Sequence, residues 1–466
     1  MQRWLSAISA RSVFLGVAIG LLCGAVCAAE QGPELPKIPV APQTVSRPVQ
    51  RDKEPLKDAK AALGDKNGRA DKHDDPKAVE VGPELSLGEC IGIAHERSPG
   101  LRALHATYAA TAASSQALNN IGTIGELLAP DLPVRKQQAA VGLRAAAADI
   151  QKKQNEITQA VTRLYYTVVY ARQQESITED VVELVELLLG IAKELLKSPK
   201  PGDITPGKIA LMEIGLLEAK TLRLKARTGA QQAMEGLRQL MNVKEIDFPF
   251  RVKDKELPEF SVKAGLTKEI VVERALAARP EIILAAAGLD AFRLEVYAQA
   301  KIRCGSTART FASGSDIHAR AVPPGSMGAE YRPEPLSPEM PTMLVGSQTD
   351  RVNRAMAYCR RAEAMYEDTR NLIALEAGIA FIKFDEATKK LELAKGKFKS
   401  GKDLMQQTRE AFENNPNVPK DLLVSGYVAA SKAQSDFVEA VFEHVQAMAA
   451  LERVTGGTIR APFPNR

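Results

Sequence analysis

Apolar residues at Ile177, Val181, Leu184, Leu188, Ile191 and Leu195 step by 4, 3, 4, 3 and 4 along the chain. That spacing is a heptad seam on one face of a long helix. Upstream, Val161, Leu164, Val168 and Ala171 form a second apolar stretch out of phase with the first. Such a phase break rewinds a coiled coil locally rather than ending it. The pattern predicts one helix from about Arg135 to Lys197, roughly 95 Å long at 1.5 Å per residue. Ser198 to Pro206 reads as a turn, followed by a return helix ending at Met241, so the pair is a long antiparallel hairpin.

Ahead of this hairpin, Ser86-Leu87-Gly88-Glu89 is a capping box, in which hydroxyl and carboxylate serve the orphan amides of a helix start. That helix is expected to stop near Arg97, because Pro99 disfavours helical geometry at Ser98. Ser98 then caps a second helix with Pro99 in its first position. Asn119 to Leu132, with Gly122, Gly125, Pro130 and Pro133 in or beside it, reads as a loop. Ala145 to Ala148 are small enough to let a neighbouring helix axis approach closely.

The pattern then restarts. Leu85-Ser86, Ala94 and Ser98-Pro99-Gly100-Leu101 are echoed by Leu266-Thr267, Ala275 and Arg279-Pro280-Glu281-Ile282, with Pro280 lying 181 residues after Pro99. Farther along, Phe381 lies 215 residues after Tyr166 and Leu451 lies 214 after Leu237. The jump in offset falls in one place: Ile302 to Gln348 spans 47 residues where Asn119 to Leu132 spans 14. One helical unit is written twice with insertions of unequal length, and such a repeat decides the fold. The first unit is read as 85–243, the second as 266–457, with 244–265 a Pro-containing linker and 458–466 a tail.

Composition fits this reading. The chain has 466 residues, 45% hydrophobic, 26% charged and only 5% aromatic, an alanine- and leucine-rich balance that favours helices over sandwiches or barrels. The 62 basic and 57 acidic residues leave a net charge of +5, too small to argue for nucleic acid without a basic stripe or reading motif. Arg3 and Arg11 precede an apolar run from Val13 to Val26, too short to span a bilayer but suited to a secretory signal over 1–28. Val26-x-Ala28 and Cys27-x-Ala29 both suit cleavage, and a lipid-anchored reading is the weaker one because Leu22 and Val26 precede the cysteines. From 29 to 84, prolines and then a charged run from Lys57 to Asp75 make a linker with few large apolar residues to offset chain-ordering entropy.

Together these residues resemble the TolC-type outer-membrane efflux proteins. The resemblance rests on the Leu-rich cap and Pro-containing turn at Leu85 to Leu101 and again at Leu266 to Ile282, and on the aromatic element Leu164-Tyr165-Tyr166. It is completed by Phe398-x-x-Gly401, similar to the family's aromatic–Gly turn, and by the closing Leu451 to Gly457. It implies an all-α dominated protomer of duplicated antiparallel helical hairpins, with three protomers forming a helical barrel through the periplasm below a β-barrel in the outer membrane. It implies a homotrimeric conduit fed by an inner-membrane transporter through a periplasmic adaptor protein, with no cofactor. The functional residues would lie at the hairpin tips: Gly202, Thr205 and Pro206 in one turn, Val418, Pro419, Asp421 and Leu422 in the other. Each also has a plain structural reading, since Gly and Pro make turns and Asp421 favours a helix N-terminus.

The insertions modify that expectation. A membrane-spanning strand takes about 9–11 residues, so Asn119 to Leu132 is too short for two, and six prolines between Pro323 and Pro341 interrupt Ile302 to Gln348. The β-strand insertions are therefore expected to be reduced or absent. A periplasmic coiled-coil scaffold without a membrane barrel is the alternative.

No enzymatic constellation competes. Gly202 to Lys208 fits GxxxxGK, but Ile209 replaces the Mg²⁺-binding hydroxyl and a helix precedes it. His73, His95, His105, His318 and His444 lie too far apart for a compact ligand pair. Beyond the signal, Cys90, Cys304 and Cys359 show no paired spacing, and a Cys304–Cys359 disulfide is left open.

Overall fold

The computed structural model describes residues 82–196, 205–260, 265–311, 340–414 and 420–464. The chain divides into two units, 1–75 and 76–466, and every described residue belongs to the second. The signal (1–28) and most of the linker (29–84) lie outside the described residues.

Ser86 and Glu89 form the anticipated capping box: the Ser86 N–H donates to the Glu89 carboxylate at 2.7 Å, and the Glu89 N–H donates to the Ser86 hydroxyl at 3.4 Å. The helix they start, α1, runs Leu87–Arg97, and α2 follows at Pro99–Asn119 with Ser98 accepting from the Leu101 N–H. The expected loop is not all loop, because Thr123–Leu128 closes into a short helix, α3. The long hairpin is α4, Leu132–Leu196, and α5, Pro206–Met241. The second copy repeats the plan with α6 (Lys268–Ala278), α7 (Pro280–Lys301), α8 (Gln348–Asn414) and α9 (Lys420–Val454). At 67 residues, α8 is the counterpart of the 65-residue α4, each roughly 100 Å long. Thr267 caps α6 as Ser86 caps α1, and Ser347 with Asp350 makes a further box at the start of α8.

Strands are few. β1 (Glu84–Leu85) pairs in parallel with β2 (Arg251–Val252), so part of the region read as a linker is tied to the helical body. β3 (Thr307–Arg309) and β4 (Met343–Val345) pair antiparallel, Ala308 opposite Leu344. They are the described ends of the longer insertion, and at three residues each they match the expected reduction. Among the described residues no helix is long and apolar enough to cross a membrane.

The main core gathers around the middle of the body, where both copies meet. Tyr165 and Tyr166 are fully buried there with Leu87, Leu237, Phe250, Val271, Ile373 and Leu451. Each buried side chain of this size stabilises the fold by about 1.5–3 kcal/mol. The Tyr165 hydroxyl donates to the Leu85 carbonyl and accepts from the Asp254 N–H, both at 3.3 Å, so one side chain pins the β1–β2 pair to α4. The aromatic element is thus a packing element. Ala145 and Ala148 of α4 pack against Leu284 and Ala287 of α7, the close approach their size permits. Cys90 is buried in the main core, and burial pushes its thiol up to about 12, which leaves it inert. Cys304, exposed, and Cys359, half-buried, are free thiols in this structure.

Two sequence expectations are corrected. Val182, Val185, Leu189, Ala192 and Leu196 of α4 meet α5, a row one position beyond the anticipated seam, with only Val181 of that seam packed beside them. Of that seam, Ile177 is buried but Ile191 is 44% exposed, and Leu187 beside it is 62% exposed. The helix carries two apolar rows, and spacing alone does not say which faces its own hairpin. Phe398-x-x-Gly401 is also not a turn. It lies inside α8, where Phe398 stacks on Phe437 at 5.2 Å between centroids. A Cβ on Gly401 would come within 3.0 Å of the Ala433 side chain, so this glycine permits α8 and α9 to close on each other. At the end of α9, Gly456 and Gly457 both have positive φ. Their amides bond back to Arg453 and Glu452 in a Schellman closure.

Candidate functional site

The hairpin tips share one end of the body, and hydrogen bonds between α4 and α9 establish this. Gln174 bonds the Ser435 carbonyl and hydroxyl at 3.1 and 2.7 Å, while Gln446 bonds the Arg163 carbonyl at 3.3 Å. Moving up α4 from Arg163 to Gln174 moves down α9 by the same number of residues, so the helices run antiparallel in one register. Beyond the Gln174–Ser435 contact, α4 and α9 both continue to their own tips. Charged pairs hold each hairpin together along the way: Arg223–Glu179 and Lys220–Glu186 in the first, Lys390–Glu443 and Lys397–Asp436 in the second. These are exposed, worth about 0–1 kcal/mol each, and set register more than stability.

At the first tip, Thr205 accepts from the Lys208 N–H at 3.3 Å and Pro206 takes the first helical position of α5. The described part of the GxxxxGK segment, from Thr205, is thus a capped helix start. Gly202, Val418 and Pro419 lie outside the described residues. Asp421 and Leu422 fall in the first turn of α9, and their side chains lie outside the described residues.

The opposite end of the body carries the insertions, and a buried polar cluster organises it. Glu295 is fully buried and ion-paired with Arg135 of α4. It also accepts from Gln138 at 3.0 Å, Gln299 at 2.7 Å and the Phe311 N–H at 3.0 Å. Arg351, also fully buried, donates to the carbonyls of Ile302, Gly305 and Gly346 at 2.6–2.9 Å. These two side chains fix where β3 and β4 leave the helices. Beside them lies a cavity of about 710 Å³ bounded by the α3 segment, α4 and β3.

A second ionic cluster sits at the middle of the body. Arg279, 1% exposed, binds Glu281 through two bonds of 2.8 and 3.0 Å and also pairs with Glu376, whose other oxygen pairs with Arg453. Burial works to raise the Glu281 carboxyl, but the bonds and charge of Arg279 prevail and hold it below the usual range. The first copy has Ser98 and Gly100 at the positions of Arg279 and Glu281, so the duplication does not reveal this cluster.

His444 is 1% exposed among Phe260 and Phe384, and neither ring nitrogen has a hydrogen-bond partner. Burial, with help from Lys395, lowers its pKa below the usual 6.5; Lys395 itself pairs with Glu259 at 2.6 Å. The unfolded chain therefore binds a proton more readily between the lowered value and about 6.5, so stability rises with pH in that window. Denaturation midpoints are expected to fall as pH drops from about 7 to below 6 in the natural chain. H444F is expected to flatten that slope; an unchanged slope would remove His444 from the account. Among the described residues no cluster suited to a metal ion occurs.

No protein-family model matches the chain and no curated protein matches it. Solved structures do. The chain superposes on the outer-membrane channel OprN with a TM-score of 0.62, at 16% identity over 80% of this chain and 90% of that one. The open state of the Neisseria gonorrhoeae MtrE outer-membrane channel gives 0.58 at 15% identity, over 80% and 89%. The Campylobacter jejuni CmeC outer-membrane channel gives 0.59 at 13% identity, over 80% and 86%. The fold of the chain is thus that of the TolC-type outer-membrane channels.

Proposed function

We propose that three copies of this chain assemble into a passive conduit at the outer membrane. It would be the channel component of a tripartite efflux or type I secretion system, with most of its length in the periplasm. The observation that carries the reading is the set of large apolar side chains that the first hairpin leaves exposed on its outer sides. Leu211, Ile214, Leu217 and Leu224 of α5 are 54–69% exposed on the face opposite α4, and Leu187 and Ile191 of α4 are exposed as well. Large apolar side chains left in water along this much of a hairpin mark an interaction surface. A tube of like hairpins would cover it with the neighbouring copy, and the likeness to outer-membrane channels over 80% of the chain supports that arrangement.

In this reading the tips around Gly202, Thr205 and Pro206, and around Val418, Pro419, Asp421 and Leu422, narrow the pore. There they meet a periplasmic adaptor protein that brings an inner-membrane transporter. Small molecules, metals or proteins would pass without chemistry, so no catalytic residue or cofactor is required. The chain extracted in mild detergent is expected to run as a trimer by light scattering. The Leu211→Glu, Leu217→Glu double variant is expected to run as a monomer with unchanged helical content. A monomeric natural chain, or a trimer indifferent to both charges, would reject the proposal.

A second reading has its own observation: the shorter insertion contains the six-residue helix α3. A periplasmic helical scaffold without a membrane barrel fits that feature. It predicts no conductance in planar bilayers, whereas reproducible channel steps decide for the conduit.

A further inference from the structure

The end of the body opposite the tips carries apolar side chains with cations beside them. Between α2 and α4 lie residues 120–131, and α3 takes half of them. A spanning strand takes about 9–11 residues, so this connection stops at the surface it reaches. It nonetheless exposes Ile124, Leu127 and Leu128 at 76–83%. Across the shared cavity, the outer face of the β3–β4 pair presents Met343 and Val345, each 52% exposed, while Ala308 and Leu344 face inward. Arg309 stands opposite Met343 in the register on that same outer face, and Lys301 and Arg303 are exposed just before it. Among the described residues, the acids of this end are engaged: Glu126 by Lys136 at 2.8 Å, Asp131 by Arg135 at 3.1 Å, and Asp350 by the Ser347 hydroxyl at 2.7 Å with Arg354 nearby. Among the described residues the exposed cations Lys301, Arg303 and Arg309 therefore flank the apolar cap without a free acid beside them.

We propose that this end is a seat on an anionic phospholipid surface, with Ile124, Leu127, Leu128, Met343 and Val345 entering the boundary between headgroups and acyl chains. Lys301, Arg303 and Arg309 lie at the level of the lipid phosphates. Apolar residues flanked by cations are what an interfacial, non-spanning contact requires. The inference rests on reading this end as the membrane-facing one. It supplies what the short connection cannot, since the first copy gains a hold on the leaflet without crossing it.

The test is flotation of the full chain, purified from exporting cells, with vesicles of phosphatidylethanolamine and phosphatidylglycerol. Binding is expected, weaker to phosphatidylcholine alone, and weaker again when salt rises from about 0.1 to 1 M. R303E with R309E is expected to weaken binding at least twentyfold, roughly fivefold or more per charge changed. L127S with L128S is expected to weaken it about tenfold, while L393S on exposed α8 leaves it unchanged. All five substituted positions are exposed, so thermal melts should match the natural chain. No flotation, flotation indifferent to both pairs, or a membrane association in cells that vesicles do not reproduce would overturn the seat, the last in favour of a protein partner. Trimer and conductance measurements judge the conduit separately: a trimeric channel that ignores these variants sinks the seat alone, and a lipid-bound monomer without conductance sinks the conduit alone.

Discussion

Replacing Glu376 by alanine is expected to lower the free energy of unfolding by about 3–5 kcal/mol, the usual cost of removing one partner from a buried ion pair. Glu376 is 2% exposed and is shared by Arg279 and Arg453, so its loss leaves the buried Arg279 guanidinium with Glu281 alone. The effect should be global, because the cluster joins the α6–α7 corner to α8 and α9 at the core where both copies meet. The R279A, E376A double variant is expected to cost less than the two single changes added together, since each already breaks the shared interaction. Denaturant unfolding by circular dichroism measures all three, and full additivity would refute the coupling. The same cluster carries an acid sensitivity. Glu281 is held below its usual value, so its contribution is fully present above about 4.5 and is lost as pH falls through the lower folded value.

The second large effect is expected at the other polar cluster. Glu295→Ala removes the acceptor for Arg135, Gln138, Gln299 and the Phe311 N–H in one step. A loss of about 3–5 kcal/mol is expected, because four donors each lose an acceptor at a carboxylate that is itself fully buried. Its distribution should differ from that of Glu376→Ala. The cluster anchors the root of β3 and β4 rather than the central core, so hydrogen exchange should accelerate first at Thr310, Phe311 and the β3–β4 amides. Tyr165 and its neighbours should stay protected. Glu295→Gln keeps the shape and part of the bonding and is expected to cost less. Uniform acceleration across the body would show that the cluster supports the whole fold instead.

Local signals carried far into this molecule. Ser86 with Glu89, Ser98 with Pro99, and the closing glycines lie close in sequence to the groups they satisfy, so the helix limits they set were legible to within a few residues. The restart after residue 265 was legible because a duplicated unit must repeat its caps and prolines. The helix start at Thr205 and Pro206, beside the proposed tip, was legible for the same reason. The polar clusters were not: Arg135 and Glu295 are 160 positions apart, Arg279 and Glu376 are 97 apart, and neither pairing has a periodic or local signature. The α3 turn was missed because six residues carry too little pattern to mark a helix. The two parallel residues of β1 and β2 were missed because their pairing partner lies on the far side of a whole hairpin.

By itself, then, the sequence determined the helices, their ends, the duplication and the shortness of the first insertion, since each follows from spacing, capping and chain length. Only the tertiary structure decided which of the two apolar rows on α4 is spent inside its own hairpin and which stays half-buried outside it. It alone showed that Gly401 closes two helices together rather than turning the chain, and that buried charges fix the exit of the strands. The reason is the same in each case. A helix presents every face equally to its own sequence, and only the packing of distant segments removes some of those faces from water.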